Sequence, residues 1–258
     1  GGQAKTILIT HLQQTNRFSV LDRDNMGEIS QEAAIKGTVQ KLKGADYVVT
    51  GDVTEFRGLR GYRVDDAGAR VDAATVPVDI LRTTLRLLEA TETRAPSFGC
   101  FGRHEWAMVY RQSPDEIRHS AWPLRLPTAD IASVVESTLL RCTHFDAFRF
   151  YTSQARPLNV VQPTRETQSD LEQPGCLHAT MDLYKWCFRA YPAVGSDLTA
   201  DCFALAREVR AVDMRASPYD FEELGYAPIP IETSEGRAEY VEHQRDFAAR
   251  GAPLRRRL

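Results

Sequence analysis

The segment QPGCLHATMDLYKW, residues 173–186, constrains the fold of this chain more than any other stretch. Pro174 and Gly175 interrupt whatever element precedes them, and the residues that follow suit a helix. Apolar residues share one stripe of this predicted helix at i, i+4 and i+7: Leu177, Met181 and Tyr184. Polar residues share an adjacent stripe at the same spacing: His178, Asp182 and Lys185. Since side chains three and four apart are neighbours on a helix, an imidazole, a carboxylate and an ammonium are predicted to share one face.

Two interpretations of this polar face stay open. In the first, His178 caps or pairs locally on a half-buried helix. In the second, the face lines a polar pocket, because several distant segments carry the same kinds of side chain amid large apolar residues. The sequence indicates a site here, and it does not by itself identify a reaction.

The composition limits the class of protein. A chain of 258 residues, 43% apolar and 26% charged, is typical of a globular protein with one large domain or two smaller ones. A net charge of −3 argues against a large basic surface for duplex DNA. The apolar runs are far shorter than the roughly 20 residues of a membrane helix. The odd count of 5 cysteines and the absence of a secretory-type opening segment predict reduced thiols and a cytoplasmic location without membrane association.

The first third of the chain predicts a small α/β unit. Hydrophobic patterns favour a helix over residues 4–13, a strand over 17–23, a helix over 24–40 and a strand over 45–53. The segments RFSVLDRDNMGEISQEAAIKG and KLKGADYVVTGDVTEF resemble the periplasmic α/β part of the curli-secretion channel (CsgG-like) family. This resemblance covers about residues 5–56.

That resemblance implies a lipid-anchored, ring-shaped channel of the outer membrane. The chain has no cysteine near its first residue, so we expect a fragment of the fold and not the secretory function. The composition shifts at RGLRG, residues 57–61, which predicts a domain of residues 1–57 followed by a domain of residues 58–258.

The larger part predicts an α+β protein overall, in which the N-terminal α/β unit precedes a mainly helical domain with a few strands. A hairpin is expected over residues 62–71 and a helix over 77–91, with Ile80, Leu81, Leu85 and Leu88 inward. Further helices are expected over 130–140, 196–212 and 234–250. Residues 98–111 favour a helix and a strand equally.

The run RCTHFDAFRF contains a second polar pair. If residues 141–150 are extended, His144 and Asp146 share one face, an arrangement typical of metal binding or of a histidine oriented by a carboxylate. An incidental pair on a surface strand remains the alternative.

Six motifs of the larger part together resemble a bacterial family commonly labelled 3-methyladenine DNA glycosylase: FGCFGRHEWAMVYR, RHSAWPLRL, RCTHFDAFRF, ARPLNVVQPTRETQ, EQPGCLHATMDLYKW and DMRASPYDFEELGY. The resemblance implies a base-excision hydrolase in DNA repair, with DNA that carries an alkylated base as its partner and with no required cofactor. In such an enzyme Asp182 or Asp146 would be the catalytic carboxylate, with Asp213 a further candidate, and His178 and His144 would orient substrate or water. The predicted substrate-binding residues are Arg149, Arg165, Arg215, Trp106 and Tyr184.

Two other functions stay open. One is a metal-dependent enzyme that acts on a small molecule, since divalent metals favour imidazole and carboxylate ligands. Its candidate metal ligands are His104, His144, His178 and Asp182, although no HExxH spacing is present. The other is a non-catalytic binding or fusion protein. The sequence does not fix the oligomeric state.

Overall fold

The computed structural model of the protein describes residues 61–65 and 68–258. Strand β1 (Tyr62–Asp65) and strand β2 (Gly68–Val71) form an antiparallel hairpin in which Tyr62 pairs with Val71 and Asp65 with Gly68. The predicted hairpin is therefore confirmed. Its turn residues, 66–67, and the elements predicted before residue 57 lie outside the described residues.

The rest of the described chain is mostly helical, as expected. Between and around the helices lie short 3₁₀ turns. The helices are α1 (Val78–Glu92), α2 (Arg103–Val109), α3 (Thr128–Glu136), α4 (Phe145–Phe148), α5 (Gln168–Leu171), α6 (Leu177–Arg189), α7 (Ser196–Ala216) and α8 (Ser234–Arg257).

Helices α6, α7 and α8 form the scaffold of the domain by packing on one another. A Cβ atom at Gly251 of α8 would lie 3.1 Å from Cγ2 of Thr180, so α8 crosses α6 closely at this point. The larger hydrophobic core surrounds residues such as Trp106, Val209 and Tyr240. A smaller core lies between α1, α6 and α7, and contains Leu87, Leu183 and Cys202.

Helix α7 follows its predicted pattern. The inward residues Leu198, Cys202, Leu205 and Val209 are all buried. The helix continues to Ala216 instead of ending near Val212, and Pro218 then prevents further helical residues. Because Asp213 is four residues beyond Val209, the same inward stripe carries a carboxylate into the core.

The inward face of α1 differs from the prediction. Its buried residues are Thr84, Leu87, Leu88 and Thr91, whereas Leu85 is 54% exposed. Helix α1 packs on α5 and α8, so the position of these neighbours decides which residues are covered. Of the predicted inward residues, Leu88 is buried as expected, and Ile80 and Leu81 are half-buried.

The condition that residues 141–150 are extended is not met. Phe145–Phe148 form the short helix α4, in which the amide of Phe148 donates to the carbonyl of His144 at 2.9 Å. The side chain of Asn159 bonds to both the amide and the carbonyl of Cys142, each at 2.8 Å, and so occupies the groups that strand pairing would need. His144 and Asp146 therefore do not lie on one face of a strand.

Within residues 61–65 and 68–258, none of the helices combines the length and the apolar character that crossing a membrane requires.

Candidate functional site

Polar side chains from several segments converge beside α6. His178 of α6 lies between two other histidines: its ring centroid is 4.6 Å from that of His104 and 5.2 Å from that of His144. We call His104, His178 and Asp213 the inner cluster. We call His144, Asp146, Asp182 and Lys185 the outer cluster. His178 therefore contacts imidazoles of two distant segments, which a purely local role on the helix does not account for.

The chain entering α2 fixes the position of His104. Gly102 has φ = 71°, and a Cβ atom there would lie 3.1 Å from Cε2 of Tyr240, so glycine suits both the conformation and the space. The buried guanidinium of Arg103 donates to the carbonyls of Val134 at 2.6 Å and Val135 at 2.9 Å. Since these carbonyls belong to the C-terminal part of α3, the first turn of α2 is locked against α3.

The first turn of α6 is held just as closely. The side-chain oxygen of Gln173 accepts from the amides of Ser97 and Gly175, both at 2.7 Å, and the side chain of Gln244 donates to the carbonyl of Gly175 at 2.9 Å. A Cβ atom at Gly175 would lie 2.6 Å from the carbonyl oxygen of Ser97. These contacts fix the orientation in which His178 leaves the helix.

The inner cluster contains a close contact between buried groups. Nε2 of His104 lies 3.0 Å from Oδ1 of Asp213, and their side chains are 3% and 0% exposed. Neither of these two atoms has a hydrogen-bond partner. Their other polar atoms do have neighbours: Nδ1 of His104 lies 3.6 Å from Sγ of Cys100, and Oδ2 of Asp213 accepts from Arg210 at 2.8 Å. Arg210 also donates to Glu105 at 3.2 Å.

The two histidines of the inner cluster have opposite pKa shifts. Burial alone would lower the pKa of His104, but the Asp213 carboxylate and the Cys100 thiol outweigh it and raise that pKa well above its ordinary value. Burial would raise the pKa of Asp213, and His104 holds it well below its usual range. For His178, burial and the neighbouring His104 lower the pKa to about 3, so its imidazole is neutral at neutral pH.

The outer cluster is a chain of ion pairs. Nε2 of His144 lies 3.2 Å from Oδ2 of Asp182 and 3.4 Å from Oε2 of Glu172. The ammonium of Lys185 contacts Asp182 and lies 3.1 Å from Oδ2 of Asp146. Two guanidinium groups complete the coordination of Asp146, Arg165 at 3.1 Å and Arg149 at 3.3 Å.

These cations control the ionisation of the outer carboxylates. Burial would raise the pKa of Asp182, but His144 and Lys185 lower it to about 2. Lys185 and Arg165 likewise overcome burial and lower the pKa of Asp146. Glu172 behaves differently, because burial raises its pKa despite the nearby His144. The carboxylates of Asp146 and Asp182 are thus ionised and compensated by cations at neutral pH.

The structure brings together most of the residues predicted for the site, namely His104, His144, His178, Asp146, Asp182, Arg149 and Arg165. Three others lie elsewhere. Arg215 donates to the carbonyl of Ala227 at 2.8 Å and to Glu239 at 3.1 Å. Trp106 is fully buried in the larger core, where its Nε1 donates to the carbonyl of Ala216 at 2.8 Å. Tyr184 packs on Phe203 at a centroid distance of 5.1 Å, beside the smaller core.

Sequence reasoning missed several members of the site, including Cys100, Glu172 and Arg210. It considered Asp213 as a catalytic carboxylate and not as a metal ligand. A signal for Asp213 was present, because a carboxylate that continues the apolar stripe of α7 must be buried and therefore needs a buried partner. Glu172 and Cys100 carried no comparable signal, since their burial depends on how α5 and the segment before α2 pack.

The inner cluster has the chemistry of a metal site. Among the residues that the structure describes, a group of three potential metal ligands is formed by His104, His178 and Asp213. Their ligand atoms all lie within 4.8 Å of one another. Two imidazole nitrogens and a carboxylate oxygen are ligands typical of first-row transition metals.

Comparison with known proteins points to the N-terminal part of the chain. Residues 1–75 match the family described as Curli production assembly/transport component CsgG. A protein of Neisseria meningitidis serogroup B named "Putative lipoprotein NMB1126/NMB1164" is 70% identical over 56 residues, which are 22% of this chain and 25% of that protein. The chain thus spans about a quarter of the length of this relative. No solved structure matches the chain. The CsgG-like resemblance of the N-terminal part is confirmed.

The same matches correct the function predicted from the larger part. The predicted DNA base-excision hydrolase, its role in DNA repair and alkylated DNA as its partner are wrong, because the similarity is to a curli assembly/transport family and to a protein named as a lipoprotein. The predicted cytoplasmic location without membrane association is wrong for the same reason. The location was predicted from cysteine count and composition, which describe the whole chain. The family match that overturns this prediction lies in the first 75 residues.

Proposed function

We propose that the chain acts at the bacterial cell envelope, in assembly or transport of the kind that the CsgG family name describes. The observation that carries this proposal is the 70% identity over 56 residues to a protein named as a lipoprotein, together with the family match over residues 1–75. Identity at that level over a continuous stretch supports a similar local structure and environment for the matched residues.

In this proposal the CsgG-like segment directs the chain to its place of action, and the helical domain that follows supplies a separate binding function. The division into residues 1–57 and 58–258 stays a prediction. The family match runs to residue 75 and so includes the β1–β2 hairpin. The hairpin is therefore a described part of the matched segment, and α1 begins shortly after that segment ends.

Fractionation of cells that express the protein from its natural gene tests the proposal. An antiserum raised against the purified chain would follow the protein through separation of membranes from soluble proteins. We expect it to sediment with the envelope and to resist a high-salt wash. Recovery in the soluble fraction with a cytoplasmic marker enzyme would refute the proposed location. Asp182→Asn serves as the matched control, because a change in the helical domain is expected to leave the fractionation unchanged.

A further inference from the structure

We propose that the inner cluster binds one divalent first-row transition metal ion through His104, His178 and a carboxylate oxygen of Asp213. The three side chains come from three helices, and their ligand atoms lie within 4.8 Å of one another. Ligand atoms that each lie about 2.1 Å from one ion are at most about 4.2 Å apart. The ligand atoms therefore need only a small closing movement to hold one ion, and His178 is the half-buried member of the cluster.

The first argument for an ion is the state of the two buried ligands. Nε2 of His104 and Oδ1 of Asp213 form an ion pair at 3.0 Å that lacks the alignment of a hydrogen bond. The misaligned contact leaves part of the cost of burying these two atoms uncompensated. A cation placed between these atoms would bond to both of them and remove that cost.

The second argument is the support behind each ligand. Nδ1 of His104 is 3.6 Å from Sγ of Cys100, which leaves Nε2 as the nitrogen that faces Asp213. Arg210 holds Oδ2 of Asp213 at 2.8 Å, which leaves Oδ1 as the oxygen that faces His104. Metal-binding histidines and carboxylates are oriented by such outer contacts, which fix the tautomer and the direction of the lone pairs.

The ligand set selects the class of metal. Imidazole nitrogens suit zinc, iron, nickel and copper, whereas calcium and magnesium prefer sites built from oxygen atoms alone. Two histidines and one carboxylate are also the protein ligands of mononuclear sites that keep a coordination position for water or another small ligand. We therefore expect Zn²⁺, Co²⁺ or Fe²⁺ to bind in preference to Ca²⁺ and Mg²⁺. This proposal is independent of residues 1–75, so its failure would leave the proposed envelope function untouched.

The test uses the full chain after removal of metals with EDTA. Calorimetric titration with Zn²⁺ and elemental analysis after gel filtration should give one ion per chain. Co²⁺ should give visible absorption bands of a protein-bound ion, whereas Mg²⁺ should not compete. His178→Ala should weaken Zn²⁺ binding by roughly 100-fold or more, because it removes a ligand. Cys100→Ser, which alters an outer contact, should weaken it by roughly tenfold.

The matched control is His243→Ala, which removes a histidine that is 35% exposed on α8. This variant should bind Zn²⁺ with an affinity within about threefold of the wild type, because a single histidine at the surface binds Zn²⁺ weakly. Circular dichroism must show that each variant is folded. Absence of stoichiometric binding would overturn the proposal, as would equal effects of His178→Ala and His243→Ala. Asp213→Asn is a supplementary variant, because loss of that carboxylate also destabilises the fold.

Discussion

The inner and outer clusters contain the same kinds of side chain, yet they are balanced in different ways. In the outer cluster, Asp146 and Asp182 meet Lys185, Arg149, Arg165 and His144 at hydrogen-bonding or ion-pair distances. In the inner cluster, Asp213 is fully buried, and its atom Oδ1 faces His104 without a hydrogen bond. Both clusters therefore contribute to stability, and the inner one pairs its carboxylate with His104 in a contact that is not aligned as a hydrogen bond.

Each cluster takes one cation from the helix of its carboxylate and further groups from other segments. Lys185 lies one helical turn beyond Asp182, so α6 provides the compensating charge for the outer cluster within its own sequence. In the inner cluster, α7 likewise supplies Arg210 one helical turn before Asp213, whereas the imidazole of His104 comes from α2, more than 100 positions away. A local pattern can be read along one helix, but a contact between two helices requires the tertiary structure.

The largest effect is expected from Asp213→Asn in protein kept free of metal. Loss of the buried carboxylate leaves His104 without its ionic partner, whereas Arg210 keeps Glu105, and breaking such a buried pair costs about 3–5 kcal/mol of unfolding free energy. Urea denaturation followed by circular dichroism measures the change. Asp197→Asn on the same helix is the control and should cost less than about 1 kcal/mol, because its side chain is 69% exposed. A loss below 1 kcal/mol for Asp213→Asn would contradict the importance of the inner pair.

How far the sequence could predict these two clusters depends on the same distinction. The shared face of His178, Asp182 and Lys185 followed from helical spacing, and the inward stripe of α7 followed from its apolar period. The pairing of His104 with Asp213 joins residues more than 100 positions apart, and no local pattern encodes it. The helix at residues 145–148 did not follow from the local alternation, and the side chain of Asn159, a distant residue, holds the backbone of Cys142 just before it.

The second largest effect is expected from Zn²⁺ and rests on the proposed metal site. An ion that binds only the folded protein stabilises it by about 2.7 kcal/mol at a free concentration of 100 times its dissociation constant. Wild-type protein and Asp182→Asn should gain similar stability in urea titrations with and without Zn²⁺, while His178→Ala should gain little. Equal stabilisation of all three proteins would show that the ion binds outside the inner cluster.

Asp182→Asn is expected to cost about 1–3 kcal/mol at pH 7, because it removes the acceptor for His144 and Lys185. The cost should decrease in acid. In the folded wild-type protein the pKa of Asp182 is about 2, below the ordinary value of 3.8. The ionised carboxylate therefore contributes stability that is present above pH 3.8 and is lost as the pH falls toward 2. The titratable groups that face it are His144, Lys185, Asp146 and Glu172.

Urea titrations of wild type and Asp182→Asn at pH 7 and pH 3 measure that dependence. The difference in unfolding free energy between the two proteins should be smaller at pH 3. A difference that stays constant or grows in acid would mean that the Asp182 charge is not what stabilises the outer cluster. The contribution of Glu172 is expected to be similar in both proteins, since its raised pKa originates mainly in burial.

The smallest effect is expected from Arg165→Ala, at the solvent-facing end of the outer cluster. Its guanidinium lies 3.1 Å from Asp146 and 4.5 Å from the centre of the Phe145 ring, but its side chain is 53% exposed. Exposed ion pairs contribute about 0–1 kcal/mol and are screened by salt, and Lys185 still compensates Asp146 in the variant. We expect a loss of unfolding free energy within that range. The loss should be smaller still in 0.5 M salt, because dissolved ions screen the exposed pair.

Arg82→Ala, which breaks an exposed pair with Asp79 on α1, gives the reference value. A loss clearly greater than that of Asp182→Asn would reverse the order and place the structural weight of the outer cluster at its exposed end.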